Sequence, residues 1–499
     1  MAPQLGLLDQ EDYRIANGDA DEKQWKIETT AGNSRKGIFN NSIYNKLIKP
    51  LIPWQSDSPA PKLRRTAYLD GLRGFAAFIV YWHHQNLWAH DTYELGQILE
   101  NSFGFKGKYY FACMHGVRTF FTGGHIAVSV FFIISGYVLS AKPLSLMQAG
   151  ETGKLGDNLA SALFRRWLRL YLPLIVTTFL WMTSWHLFGV WSPSVKAERT
   201  WWDEVWKWYY EFKNFSFVFR TGGDPWLSYN FHLWSIPVEM KGSIAIYTAA
   251  MALSRTAKNQ RLLSELALII YFMWIADGWY GSMFMAGMLL SDLDLLAISG
   301  DLPRIITRFE PYKDIIFPIL FTVGLYLSGV PSHSLDVKDL AASPGWGPFM
   351  AWFKPQAVFD YKWFYLFWAS VFIVVSIPRI SALKSFFESR FCQYLGKISF
   401  SLYLVHGPVL WTLGDRLYAA AGFVKDVHIT NIPNWVNRLP LSHAGPLGLE
   451  PAFLLPNIII LPVTFWMAHL VTKYIDDPSV RVTQWLYNKT LSRSPQLKG

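Results

Sequence analysis

Arg73 and His84 lie eleven residues apart in a stretch that otherwise reads as a membrane helix, YLDGLRGFAAFIVYWHH over 68–84. A helix rises 1.5 Å per residue, so the two share one face about three turns, or about 16 Å, apart. An ionisable residue at membrane depth is costly and marks a functional position by default. Near-neutral imidazole is the usual group for taking a proton from an alcohol. The pair therefore predicts proton chemistry inside a bilayer. A histidine that only hydrogen-bonds a neighbouring helix is the rival reading. His83 points roughly 100° away, so at most one of the two should line the same cavity.

Three further stretches carry chemistry-bearing residues. FRRWLRLYLP (164–173) opens a candidate span with Arg166 and Arg169 at i, i+3 on one face, and Pro173 is expected to kink or break the helix just beyond. Guanidinium forks at a membrane edge suit phosphate groups, although cytosolic helix ends are arginine-rich anyway. HLWSIPVEMKGS (232–243) places Glu239 within a membrane segment, where it needs a partner: the imidazole of His84 as an orienting carboxylate, or Lys241 or an arginine in a structural salt bridge. KISFSLYLVH (397–406) adds a second intramembrane histidine, His406, read from its position as structural or pore-lining. Ala127, Ser135 and Gly136 give a further span a small-residue face for close helix approach. No GxGxxG, Walker lysine loop, HExxH or cysteine pair at metal spacing occurs, so nucleotide hydrolysis and metal catalysis are not expected.

These residues must be positioned by membrane helices. The 499-residue chain is 51% hydrophobic and 17% aromatic, and its apolar residues gather into runs of about 17 to 24, long enough to cross a bilayer. Trp and Tyr, 24 copies each, crowd the flanks of those runs as interfacial belts do. An all-α polytopic bundle of about ten transmembrane helices follows, with spans near 70–88, 118–140, 168–188, 235–253, 263–279, 281–297, 314–330, 363–379, 398–414 and 454–475. The net charge of +10 is spread over alternate loops instead of one patch, which argues against nucleic acid and places both termini in the cytosol. Residues 1–65 form a polar cytosolic segment of flexible composition without a secretory h-region, 66–480 the membrane domain, and 481–499 a short basic tail. Cys113 and Cys392 fall on opposite sides, so neither a disulfide nor a metal cluster is expected. Long loops at 189–233, 331–362 and 415–453 face the lumen or exterior, where Asn214 opens a glycosylation sequon.

Taken together, the segments LDGLRGFAAFIVYWHH (69–84), VSVFFIISGYVLS (128–140), FRRWLRLYLP, HLWSIPVE (232–239), FMAGMLLSDL (284–293) and YLGKISFSLYLVHGPV (394–409) resemble the acyltransferase 3 family of polytopic membrane O-acyltransferases, in the family's order. The likeness is greatest to filamentous-fungal members. The resemblance implies that the family's Arg-x10-His motif falls on Arg73 and His84, with His84 the catalytic base. It also implies that the Arg-x-x-Arg motif on Arg166 and Arg169 engages the acyl donor. Trp234, Ser235 and Glu239 fall on its Trp-Ser…Glu segment, and His406 on its late-helix histidine. Pro237 and Met240-Lys241 depart from the Glu-Gln-Phe common in bacterial members.

The resulting expectation is transfer of an acyl group, acetyl from acetyl-CoA, to a hydroxyl of a small molecule such as a fungal terpenoid or polyketide, by an integral protein of the endomembrane system or plasma membrane. Acyl-CoA is a co-substrate, and no bound cofactor or metal is expected. His84 takes the proton, Glu239 or Asp70 steadies the imidazolium, Ser135 supports the oxyanion, and Arg73 joins Arg166 and Arg169 at the donor phosphates. A glycan or glycolipid acceptor, a proton-coupled transporter or flippase, and a membrane scaffold are the alternatives; a carrier would make no new bond.

Overall fold

The computed structural model describes residues 63–91, 93–219 and 226–491, and every regular element among them is helical. The expected N-terminal segment 1–65 thus lies outside the described residues up to position 62, as does the end of the basic tail, 492–499. We number the longer helices α1 (Ala67–Ala89), α2 (Gly124–Gln148), α3 (Thr152–Phe188), α4 (Trp201–Phe215), α5 (Ser235–Ala252), α6 (Lys258–Ile270), α7 (Trp279–Ile298), α8 (Lys313–Leu327), α9 (Lys362–Ser376), α10 (Arg390–Val409), α11 (Pro451–Val471) and α12 (Asp477–Thr490).

A helix lies over each of the ten expected spans, but ten membrane crossings do not follow. Four helical stretches are long and apolar enough to cross a bilayer: α2, α3, α7 and the continuous run Pro451–Thr490. A fifth is the pair Lys362–Arg379 and Ser381–Phe387, bent by 97°. With 13 and 15 residues, α6 and α8 reach only about 20 Å, short of a hydrocarbon core of about 30 Å. The reason for α1, α5 and α10 is different. They carry Asp70 and Arg73, Glu239 and Lys241, and Arg390 and Lys397, and these charged residues dilute the apolar signal.

Helices in this bundle approach one another through glycine. A methyl group on Gly74 of α1 would sit 2.1 Å from the backbone nitrogen of Gly396 in α10, and one on Gly71 would strike the Phe387 carbonyl. Gly136 of α2 and Gly287 of α7 do the same for that pair, each within 2.1 Å of a facing carbonyl oxygen. This is the close approach expected of the small face containing Gly136. It brings the N-terminal half of α1 against α10, more than 320 residues away in sequence.

Pro173 does not break its helix. α3 runs unbroken through it from Thr152, so Arg166 and Arg169 lie in the middle of a 37-residue helix and not at its start. Proline removes one N–H from the ladder. Thr177 and Thr178 turn their hydroxyls back onto the same helix, donating to the carbonyls of Pro173 and Leu174 at 2.8 Å each.

The long connections are folded. The first contains α4, whose Trp208 Nε1 donates to Thr178 on α3 at 3.0 Å while Trp202, Trp206 and Tyr210 are exposed on its other side. In the last, Asp415 accepts from Trp88 Nε1 at 3.1 Å and from His428 Nε2 at 2.9 Å, tying this connection to the C-terminal end of α1. Both cysteines are free and buried.

Candidate functional site

Three histidines from three distant segments meet: His84 on α1, His232 in the turn before α5, and His406 on α10. Their rings overlap with centroid separations of 3.8 Å (84–232), 4.7 Å (232–406) and 5.0 Å (84–406). His232 and His406 are buried, and His84 is partly exposed.

The hydrogen bonds fix which nitrogen carries the proton. His406 Nδ1 lies 2.9 Å from the Tyr403 carbonyl and 3.2 Å from that of Leu402. A carbonyl only accepts, so Nδ1 is the protonated nitrogen of His406 and Nε2 carries the lone pair. That lone pair faces His84 Nδ1 at 3.2 Å. His84 Nδ1–H must then donate to it, which leaves the lone pair of His84 on Nε2. His84 is thereby held as the tautomer that can take a proton, and His406 is the group that orients it.

The turn carrying His232 is anchored to the same helix. Tyr403 Oη donates to the His232 carbonyl and accepts from Ser235 Oγ, which lies 2.8 Å away, while Asn230 Nδ2 donates to the Leu404 carbonyl at 3.0 Å. His232 Nδ1 and Asn230 Oδ1 are both buried without a hydrogen-bond partner among the described residues. Both lie beside Gly407, where a methyl group would come within 2.8 Å of His232 Nδ1 and 3.2 Å of Asn230 Oδ1.

The three histidines are also close enough, with one nitrogen of each within 4.8 Å of the others, to raise the question of a metal ion. Their planes are inclined by only 32°, 27° and 16°. An imidazole binds an ion through the lone pair of one ring nitrogen, and that of His406 Nε2 is already taken by His84 Nδ1–H. The arrangement suits proton sharing better than coordination.

A second, basic group lies nearer the N-terminal end of α1. Arg166 pairs with Glu239 and donates from Nε to Ser243 Oγ at 2.8 Å. Arg73 pairs with Asp70 at 3.1 Å and donates to the Gly396 carbonyl at 3.2 Å, and its side chain is 40% exposed. Arg169 is exposed, with Arg166, Arg73 and Asp476 as charged neighbours.

Several expected roles change with these contacts. Asp70 is committed to Arg64 and Arg73, about 21 Å along α1 from His84, and so does not steady its imidazolium. Glu239 is engaged by Arg166, the salt-bridge alternative. Trp234 packs edge-on against Trp363 with ring centroids 5.8 Å apart, away from the histidine stack. The His83 ring lies against Gly124 and meets the His84 ring edge-on, with centroids 4.9 Å apart. Asn214 sits in the last turn of α4 and donates to the Tyr210 carbonyl at 3.0 Å.

The sequence pattern did not single out His232 or Tyr403. The available signal was positional: each stands within four residues of another candidate, Ser235 or His406.

A family model described as an acyltransferase domain, that of the acyltransferase 3 family, matches residues 66–467. The chain is 28% identical over 475 residues to the O-acetyltransferase PaAT-1 of Phomopsis amygdali, covering 87% of each protein. It is 24% identical to acyltransferase clz18 of Cochliobolus lunatus, over 86% of this chain and 97% of that one. It is also 23% identical to acyltransferase R4 of a Phoma species, over 85% and 96%. No solved structure matches. The match spans every helix that carries the histidine stack and the arginine group, and on that ground the chain belongs to the acyltransferase 3 family and is an acyltransferase.

Proposed function

We propose that this enzyme transfers an acetyl group from acetyl-CoA to a hydroxyl of a small apolar molecule, a terpenoid or polyketide alcohol of fungal secondary metabolism. The observation that carries the reading is the hydrogen-bond chain from the Tyr403 carbonyl through His406 to His84, which leaves the His84 Nε2 lone pair available. His84 Nε2 takes the proton of the acceptor hydroxyl as its oxygen attacks the thioester carbon. The carbon–sulfur bond then breaks, and the imidazolium returns the proton to the departing thiolate, so no proton is gained or lost overall. His406 accepts from Nδ1–H throughout and stabilises the cation formed between the two steps.

At the other end, Arg169 and the exposed part of Arg73 meet the phosphates of the donor. Glu239 holds Arg166 in place beside them, a positioning role. The distance of about 16 Å from Arg73 to His84 is comparable to the reach of an extended pantetheine arm. Because the donor is made in the cytosol, this end of α1 is cytosolic. About ten helices then traverse or enter an endomembrane or the plasma membrane, both termini are cytosolic, and Asn214 is available for glycosylation on the opposite side.

The test is thiol release from acetyl-CoA by the purified full chain in micelles, against a panel of polycyclic alcohols and sugars. Release that requires a polycyclic alcohol supports the reading. Release with sugars alone would move the acceptor to glycans, and ester formation from no acceptor would overturn it.

A further inference from the structure

Beyond the histidine stack, past the C-terminal end of α1, a cleft of about 650 Å³ opens between Trp88, Asp91, Trp226, Phe231 and Lys425. Its volume falls within the range of small-molecule sites, about 300–1,000 Å³. Trp226 and Phe231 lie stacked with centroids 5.4 Å apart and planes 7° from parallel, forming one flat wall. Phe231 also meets the His232 ring edge-on at 4.3 Å and the Trp411 ring at 4.9 Å. The wall of the cleft is therefore continuous with the histidine stack.

Of the three charged side chains lining the cleft, Lys425 and Asp91 are paired with each other and Asp426 is exposed. Lys425 Nζ lies 3.6 Å from the centre of the Trp88 ring and 2.8 Å from Asp91. An anionic guest would face two carboxylates, and a guest ion that engaged Lys425 or Asp91 would have to break that pair. A flat, uncharged guest would instead gain aromatic faces without disturbing it.

Helix α1 gives the direction. Trp88 is one turn, about 6 Å, beyond His84, while Arg73 is about 16 Å before it. We propose that this cleft is the acceptor site, taking an uncharged, ring-bearing alcohol from the end of α1 opposite the arginine group, and that Trp226 and Phe231 set its specificity. The inference rests on the acyl-transfer reading above. Donor and acceptor then approach His84 from opposite ends and never compete for one opening.

Trp226→Ala is the informative variant, because its side chain is 58% exposed and its removal leaves the buried stack intact. In micelles, the KM for a polycyclic alcohol should rise about tenfold while the KM for acetyl-CoA stays unchanged. An unchanged acceptor KM, or an equal rise for both substrates, would overturn the assignment. Photolabelling the wild type with a diazirine-bearing sterol separates this claim from the transfer reading. Label in the peptides holding Trp226–Phe231 or Val424–Val427 supports the cleft even if no ester forms, and label confined elsewhere overturns it.

Discussion

Nδ1 of His84 lies 3.2 Å from Nε2 of His406, and the second nitrogen of His406 is tied to backbone carbonyls of its own helix. A neutral histidine thus occupies the place that a carboxylate holds in many nucleophile–base–orienter sets. It can accept from Nδ1–H without adding a buried negative charge to a site enclosed by helices.

Replacing His406 removes the acceptor that fixes the His84 tautomer. His406→Ala should lower kcat by about 10- to 100-fold, the usual effect of losing an outer-shell orienting partner, with little change in the KM for acetyl-CoA. The comparison of kcat and KM checks it. A rise in donor KM with kcat unchanged would place His406 in binding instead.

Arg166 and Glu239 form an ion pair with side chains only 12% and 14% exposed. Removing one partner of such a pair costs about 3–5 kcal/mol, because the other is left buried and uncompensated. Glu239→Ala should therefore lower the thermal midpoint and raise the KM for acetyl-CoA together. Arg166→Lys should recover little of either, since an ammonium cannot bond both Ser243 and the carboxylate with the guanidinium's geometry. Wild-type-like melting of Glu239→Ala would contradict the pairing.

Two glycines should respond differently to one methyl group. At Gly74 the added carbon would lie 2.1 Å from backbone of α10, which cannot swing aside, so Gly74→Ala should force α1 and α10 apart and deplete folded protein. At Gly407 the obstructing atoms are the side chains of His232, Trp411 and Asn230. Gly407→Ala should fold and yet lose turnover, because the displaced ring belongs to the histidine stack. Size-exclusion profiles alongside ester formation distinguish the two outcomes.

Glu450 gives a pH dependence outside the spans. Burial pushes its carboxyl up, but the adjacent His90 and the backbone N–H groups outweigh that and hold it below its ordinary value. It accepts from the Gly448 N–H at 2.9 Å and faces His90 Nε2 at 3.4 Å. A carboxylate whose folded value is depressed contributes stability above its unfolded pKa of about 4.3, lost as pH falls through the lower folded value. Hydrogen-exchange protection of 446–452 should drop below about pH 4. Protection that is flat or increasing in that range would contradict it.

What was legible in the sequence follows from what a single helix can reveal. Arg73 and His84 share a turn spacing on one helix, and Arg166 and Arg169 another, so each pair was visible from spacing. The partners of those residues come from elsewhere. His406 is 322 positions from His84, and Glu239 is 73 from Arg166, distances over which periodicity carries no information. Asp70 looked available to His84 because both lie on α1, yet an intervening length of about 21 Å and two arginines remove it. The span count was blurred for a related reason. Helices that carry charged residues, as α1 carries Asp70 and Arg73 and α5 carries Glu239, lose the apolar signature by which crossings are recognised.

The most direct measurement compares ester formation by wild type and His84→Ala, both purified in micelles, from acetyl-CoA and a polycyclic alcohol of the panel that the wild type acetylates. A general base contributes about 10²–10⁴-fold, so turnover should fall by roughly that factor while the elution profile and melting remain those of a folded protein. A folded His84→Ala enzyme with undiminished turnover would contradict the assignment of His84 as the base.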